Sequence, residues 1–142
     1  YFVSRQCPYS RRFYGFAEVQ LTPENMEIIA QFAALAARMH EQGILHRDFS
    51  PGNILFDQVE GKWRFSLVDT NRMYFGPVSV RRGCENFARL WGQTCFFELL
   101  ALKYAEARGA NAADCLKWML AARKKFWLRY IRRHGRPFAI DL

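Results

Sequence analysis

The sequence predicts an α+β domain spanning residues 1–142, mainly helical, with one small β-hairpin. Three observations carry that expectation. An apolar stripe of Ile28, Phe32, Leu35 and Met39 recurs at spacings of four, three and four, the period of a helix. Two short runs rich in β-formers, Asn53–Phe56 and Trp63–Val68, flank the turn-forming pair Glu60-Gly61. Two further helical patterns follow, from about Glu85 to Arg108 and from Ala112 to about Arg133. With 51% of its 142 residues hydrophobic, the chain has enough apolar material for one core.

Taken in order, Tyr1–Ser4 has the character of a strand end, and Cys7–Arg12 reads as loop. Arg11 and Arg12 are a basic pair, either solvated or in contact with phosphate. Phe13–Phe16 is packing material. Thr22-Pro23-Glu24 then opens the long helix with a hydroxyl N-cap, a proline at the first helical position and an acid near the positive dipole end. Ala30, Ala33, Ala34, Ala36 and Ala37 keep its other faces slim, so neighbours can approach closely and the helix is expected to be buried. Gly43 ends it as a left-handed cap. His40, in the last turn, is read as a charged partner of the helix dipole rather than a metal ligand.

This helix leads into His46-Arg47-Asp48-Phe49-Ser50-Pro51-Gly52-Asn53, which matches the H-R-D, four residues, N pattern of a phosphotransferase catalytic loop. Asp48 would accept the proton of an attacking hydroxyl, and Asn53 would reach a metal ion held by nucleotide phosphates. Pro51-Gly52 turns the chain between them. The two strands then form a hairpin with Asp57–Lys62 as its turn, Trp63, Phe65 and Leu67 on one face and Arg64 and Ser66 on the other. A hairpin brings its outer ends together, so Asn53 and Asp69 become neighbours although 16 residues apart. An acid and an amide with few other oxygen ligands suit magnesium held mainly by nucleotide phosphates and water.

Gly76-Pro77 breaks the chain and Arg81-Arg82-Gly83 introduces the next helix, with Phe87, Leu90, Trp91, Thr94, Phe97 and Ala101 on its buried side. Asn111 is a plausible cap for the last helix. From Lys117 to Arg136 there are eight Lys or Arg residues and no acid. Lys117, Lys124, Lys125, Arg129, Arg132 and Arg133 can share a face. They read as a solvated surface or as an anion-binding stripe for substrate phosphates or acidic lipid headgroups, with Lys124, Arg129 and Arg132 as candidate contacts. The formal charge of +8 points to an anionic partner without naming it. No export signal follows Tyr1, and no apolar run approaches the roughly 18 to 20 residues of a membrane span. Cys7, Cys84, Cys95 and Cys115 contain no C-x-x-C pair, so reduced thiols in a cytoplasmic protein are expected.

The strings LHRDFSPGNILF and FSLVDTNRM resemble the lipopolysaccharide kinase family, bacterial enzymes that phosphorylate Kdo or heptose sugars of the lipopolysaccharide inner core. Ser-Pro-Gly before Asn53 and Asp-Thr-Asn-Arg after the strand set the chain apart from ordinary protein kinases. The resemblance implies the C-terminal lobe of a protein-kinase-like fold. Within it, residues 1–6 would be a hinge-like lead-in, 44–71 the catalytic loop and metal-binding hairpin, and 83–135 helical support. It also implies ATP and Mg2+ as cofactors, Asp48 as catalytic base, Asn53 and Asp69 as metal ligands, and Phe2 and Ser4 as hinge contacts to adenine. His46 would be a packing and hydrogen-bonding residue. The likeness is close over residues 1–75 and loose over the helical remainder.

The departures are informative. Thr70 and Asn71 follow Asp69, so the Phe and Gly of a D-F-G motif are missing, and no A-P-E follows. Fewer than 15 residues separate Asp69 from the next helix, which leaves no room for a regulated activation loop and no phosphorylated partner there for Arg47. Nothing upstream of Tyr1 supplies a Gly-rich phosphate loop or a strand lysine. The expectation is therefore a large lobe lacking its N-terminal lobe, and nearly inactive alone. Its reaction would move the γ-phosphoryl group of ATP to a core sugar hydroxyl, with peripheral contact to the acidic inner membrane face. The alternatives are a small-molecule kinase of the aminoglycoside or choline type, or a non-catalytic basic module for membrane or nucleic acid. The intact Asp48, Asn53 and Asp69 set argues against the last, and nucleic acid is disfavoured as a partner.

Overall fold

The first long helix begins where its capping residues dictate. Oγ1 of Thr22 accepts from the Asn25 amide (3.2 Å), Pro23 takes the first helical position, and α1 runs over Pro23–Glu41. Gly43, at φ +74°, turns the chain away, and its amide closes on the His40 carbonyl (3.0 Å). The computed structural model describes residues 3, 5–18 and 20–142. Around α1 stand β1 (Arg11–Arg12), β2 (Ile44–Leu45), β3 (Ile54–Val59), β4 (Lys62–Leu67), β5 (Tyr74–Phe75), α2 (Val80–Glu85), α3 (Thr94–Arg108) and α4 (Ala112–His134). The architecture is α+β, as the sequence pattern predicts.

One antiparallel sheet has the order β1-β3-β4, and β2 pairs with β5 in a separate antiparallel ribbon. Glu60 and Gly61 both have positive φ, 51° and 76°, which gives the two-residue turn whose twist suits a hairpin. The strands consequently run up to Val59 and resume at Lys62, leaving a tighter turn than the expected Asp57–Lys62. Arg11–Arg12 is a strand rather than loop, in register with Phe56 and Leu55. The Arg11 guanidinium lies 4.8 Å from the Phe56 ring centroid and 5.3 Å from that of Trp63, so the cation packs on aromatic faces. Between sheet and helices the core is aromatic, with Phe13 and Phe32 centroids 4.4 Å apart and Phe32 and Phe49 5.5 Å apart. Helix α1 packs on α3, and α3 on α4.

The helical pattern expected from Glu85 to Arg108 is helical only from Thr94: α2 ends at Glu85, residues 86–93 are not helical, and the reason lies far away in sequence. A Cβ at Gly92 would sit 2.7 Å from the Phe96 ring, and the Gly92 carbonyl is taken by Nη2 of Arg123 (2.8 Å). The α3 N-terminus is capped from the C-terminal segment: the Thr94 amide donates to both carboxylate oxygens of Asp141, at 2.8 and 3.0 Å. Arg123 is itself buried, and also donates to the Asp141 carbonyl (2.7 Å) and Oδ1 (2.9 Å). Burial alone would raise the Asp141 carboxyl, but the Thr94 amide and Arg123 outweigh it and hold the pKa below the usual range. A cap contributed across 47 residues leaves no local signature.

His40 departs from its expected role as a charged dipole partner. Nη1 of Arg108 donates to the Tyr104 hydroxyl (2.7 Å), which donates in turn to Nδ1 of His40 (2.7 Å). Gly83 on α2 permits this arrangement, because a Cβ there would collide with the Tyr104 hydroxyl. Burial first, and the Arg108 charge second, push the His40 pKa from 6.5 down to about 4. Asn86 offsets this in part, through a contact too loose to be a hydrogen bond. The ring is therefore neutral at pH 7 and serves as a buried acceptor.

A pH dependence follows, with a definite sign. The unfolded chain protonates this imidazole near pH 6.5 and the folded chain only near pH 4, so between them the unfolded state binds more protons. Stability should fall as pH drops through that window, by up to about 3 kcal/mol. Urea titrations between pH 7 and 4 should show this slope, and His40→Gln should flatten it. A variant that keeps the slope would place the acid sensitivity elsewhere.

Candidate active site

The catalytic-loop residues lie between β2 and β3 and are held from several sides. Phe49, next to Asp48, is buried with its ring centroid 5.5 Å from Phe32 and 5.8 Å from Phe87. His46 is buried too. The Asp48 amide donates to its Nδ1 (3.1 Å), so the ring proton resides on Nε2, which donates to the Val68 carbonyl (2.8 Å). Nδ2 of Asn86, at the end of α2, donates to the His46 carbonyl (2.9 Å). His46 is thus a packing and hydrogen-bonding residue whose ring ties the loop to the end of β4.

The loop turns through a 3₁₀ segment at Pro51–Asn53. The Asp48 carbonyl accepts from the Ser50 amide (2.8 Å) and from Nδ2 of Asn53 (2.8 Å). That second bond fixes the Asn53 side chain and leaves Oδ1 as its free acceptor. The Asn53 carbonyl accepts from the Val68 amide (3.0 Å), one step beyond the Ile54–Leu67 pair, so Asp69 follows directly on the residue opposite Asn53. Asp69 has left-handed backbone angles (φ 55°, ψ 55°), a conformation that Asp tolerates better than most side chains. Its exposed carboxylate receives Nδ2 of Asn71 (3.4 Å). Asp48 and Asn53 are thus joined by a direct bond, and Asp69 is brought to the adjacent backbone position.

Two arginines converge on Asp48. Nη1 of Arg72 and Nη1 of Arg89 each lie 3.3 Å from Oδ1 of Asp48, while among the described residues no protein donor meets Oδ2. Arg72 arrives there because Thr70–Arg72 forms a 3₁₀ turn before β5 pairs with β2. Only residues 70–79 lie between Asp69 and α2, so the segment after Asp69 is a short return. Sequence reading missed both arginines as site residues. Arg72 sits inside the distinctive Asp-Thr-Asn-Arg string and was open to suspicion; Arg89 lies 41 residues from Asp48 and carries no local signal.

Asn53 Oδ1 and the Asp69 carboxylate supply two hard oxygen donors, which fit a magnesium ion that keeps water and nucleotide phosphates as its other ligands. Among the described residues no group of three or more His, Cys, Asp or Glu side chains forms a protein cage for a metal. Phe2 and Ser4, the expected hinge contacts, lie outside the described residues. Lys124, Arg129 and Arg132 are exposed on α4, yet they do not share one cavity. Arg129 lines a cavity with Lys125 and Arg81, and Lys124 and Arg132 stand outside it. No helix among the described residues is long and apolar enough to cross a membrane.

The sequence pattern of the lipopolysaccharide kinase (Kdo/WaaP) family matches residues 17–96, from just after the Phe13–Phe16 turn into α3. The chain belongs to the lipopolysaccharide kinase (Kdo/WaaP) family. A Caenorhabditis elegans protein carrying the name ribosomal protein S6 kinase alpha-2 is 29% identical over 92 residues, which is 64% of this chain and 11% of that protein. The span matched to the lipopolysaccharide kinase family takes in α1, the catalytic loop, the β3–β4 hairpin and α2, the elements that place Asp48, Asn53, Asp69, Arg72 and Arg89.

In this lipopolysaccharide kinase family member the His46 ring does structural work that a purely apolar ring cannot. His46→Phe should keep the stacking on Phe49 but leave the Val68 carbonyl and Asp48 amide unpaired, at a cost of about 2 to 5 kcal/mol. Urea denaturation at pH 7 measures it. A loss below about 0.5 kcal/mol would mean that water takes over both bonds and that the ring does not hold the loop.

Proposed function

We propose that this chain is the C-terminal lobe of a protein-kinase-like, ATP-dependent phosphotransferase acting on a sugar hydroxyl of the lipopolysaccharide inner core. The observation that carries the reading is the bonded set Asp48–Asn53–Val68. It ties the Asn53 side chain to the Asp48 backbone with Oδ1 left free, and leaves Asp69 at the end of the paired strand. Family membership and the kinase relative support phosphotransfer, and the family's description as a lipopolysaccharide kinase family supports a lipopolysaccharide acceptor.

Asp48 acts as the general base through Oδ2. Arg72 and Arg89 hold Oδ1, so the second oxygen keeps one orientation and accepts the proton as the sugar oxygen attacks phosphorus. Asn53 Oδ1 and the Asp69 carboxylate would hold the magnesium ion. ATP with magnesium supplies the transferable phosphoryl group and neutralises its charge when bound. The phosphorus–oxygen bond to the departing diphosphate breaks as the new ester bond forms, and the acceptor proton ends on Asp48. An N-terminal lobe that clamps the nucleotide phosphates completes the proposal, since catalysis in this fold is mostly positioning and charge stabilisation.

The assay is phosphate transfer from labelled ATP to purified lipopolysaccharide core by a protein that joins this chain to such a lobe. Asp48→Asn should lower the rate by about 10² to 10⁴, the loss expected for a general base. Normal turnover by that variant would remove Asp48 from the role. Aminoglycoside and choline acceptors in the same assay report on the alternative substrates, and preferential transfer to them would overturn the sugar assignment.

A further inference from the structure

The cationic side chains nearest Asp48 do not stop at the two that touch it. A cavity of about 230 Å³ beside the catalytic loop is lined by Arg47, Arg82 and Arg89 together with Glu85 and Phe126. A second, of about 400 Å³, is lined by Arg81, Lys125 and Arg129, and shares Glu85 and Phe126 with the first. Together they make one groove between α2 and α4, and Arg89 joins it to Oδ1 of Asp48 at 3.3 Å. Among the described residues six cations line it with one carboxylate, Glu85, which is paired with Arg81 (3.0 Å), while Arg89 is paired with Asp48.

The cations in the first cavity are propped on aromatic rings. The guanidinium carbon of Arg82 lies 3.9 Å from the Tyr74 ring centroid, that of Arg47 lies 5.9 Å from the same centroid, and that of Arg89 lies 5.7 Å from Phe126. Arg89 has Asp48 as its partner, whereas Arg47 and Arg82 are in no ion pair among the described residues; gathering these like charges costs repulsion that an oxyanion relieves. Trp118, Ala121, Ala122 and Phe126 give the farther cavity an apolar wall suited to the face of a sugar ring. A membrane surface fits less well, because these cations line a cleft between two helices and are not spread over an outward face.

We infer that this groove is an acceptor subsite. It binds a phosphate or carboxylate on a sugar adjoining the one whose hydroxyl Asp48 deprotonates, with Arg47 and Arg82 as its main contacts. This deepens the sugar-kinase reading and rests on it. The acceptor is then selected by a second anionic residue and not by the reacting sugar alone. Arg47 and Arg82 are binding residues; neither is among the residues bonded to Asp48.

The test is equilibrium binding by residues 1–142, without catalysis, so its outcome is independent of phosphotransfer. Deacylated lipopolysaccharide core oligosaccharide is titrated by calorimetry in four forms: intact, dephosphorylated, carboxyl-reduced, and both. The Arg47→Gln/Arg82→Gln pair should weaken binding of the intact form by about 10- to 100-fold, in line with the loss of two charge-assisted contacts. Lys124→Gln, which removes an equally exposed charge outside the groove, should change it less than twofold. Both positions in the double variant are exposed, and an unchanged thermal melting curve confirms its fold. Whichever removal abolishes the difference between parent and double variant, phosphate or carboxylate, identifies the anion. Equal weakening by Lys124→Gln overturns the subsite in favour of diffuse electrostatics. Loss of binding to phosphatidylglycerol vesicles, with oligosaccharide binding unaffected, overturns it in favour of a membrane surface. If the double variant binds every oligosaccharide form as the parent does, the subsite is wrong even where transfer assays uphold Asp48 as the base.

Discussion

The arrangement around the site depends on one buried imidazole. His46 accepts from the backbone of Asp48 through one nitrogen and donates to the backbone of Val68 through the other, so the catalytic loop and the end of β4 cannot move independently. Its own carbonyl is held by Asn86. Asn86 lies beside His40, which closes a polar chain through Tyr104 to Arg108. The Asn86–His40 step is a contact without a hydrogen bond, and in a low dielectric the two atoms left unpaired, Asn86 Oδ1 and His40 Nε2, carry a cost. The neutral state of His40 belongs to the same logic, since burial and the neighbouring Arg108 charge both disfavour a second cation there.

Rigidity on the apolar side has a separate source. Phe49 immediately follows Asp48 and is gripped by Phe32 and Phe87, so the position of the carboxylate is set within the aromatic core itself. A surface carboxylate is thereby mounted on interior packing, the kind of rigid support that preorganised chemistry requires. On the solvent side the constraint is electrostatic. Arg72 and Arg89 reach the same oxygen from opposite ends of the chain segment that follows Asp69, and the charge they concentrate continues into the groove between α2 and α4. At exposed guanidinium groups such pairs add little stability, so orientation is their contribution.

Local features were legible where a short stretch of chain contains the whole cause. Thr22, Pro23 and Gly43 determine the ends of α1 because capping involves residues only a few positions apart. Asn111 caps α4 for the same reason, its side chain accepting from the Asp114 amide (3.0 Å). Glu60-Gly61 closes a hairpin, and a closed hairpin must bring Asn53 opposite Val68. The backbone adjacency of Asn53 and Asp69 was therefore implicit in spacing, turn chemistry and alternation.

Short-range rules account for a local frame: the capped helix, the loop motif, the hairpin, and the family to which they belong. The remainder depends on contacts between distant segments. The break between α2 and α3 comes from Asp141 capping Thr94 and Arg123 taking the Gly92 carbonyl, contacts made by residues dozens of positions away. Arg11 is a strand residue because it pairs with Phe56, 45 positions away, and its cation packs on the Phe56 and Trp63 rings. His40 lost its charge because α3 buried it beside Arg108. Periodicity and capping are short-range, whereas burial, desolvation and charge convergence depend on which distant segments meet; in the sequence Arg89 is one basic residue among many, and only the tertiary packing of the turn after α2 places it on Asp48.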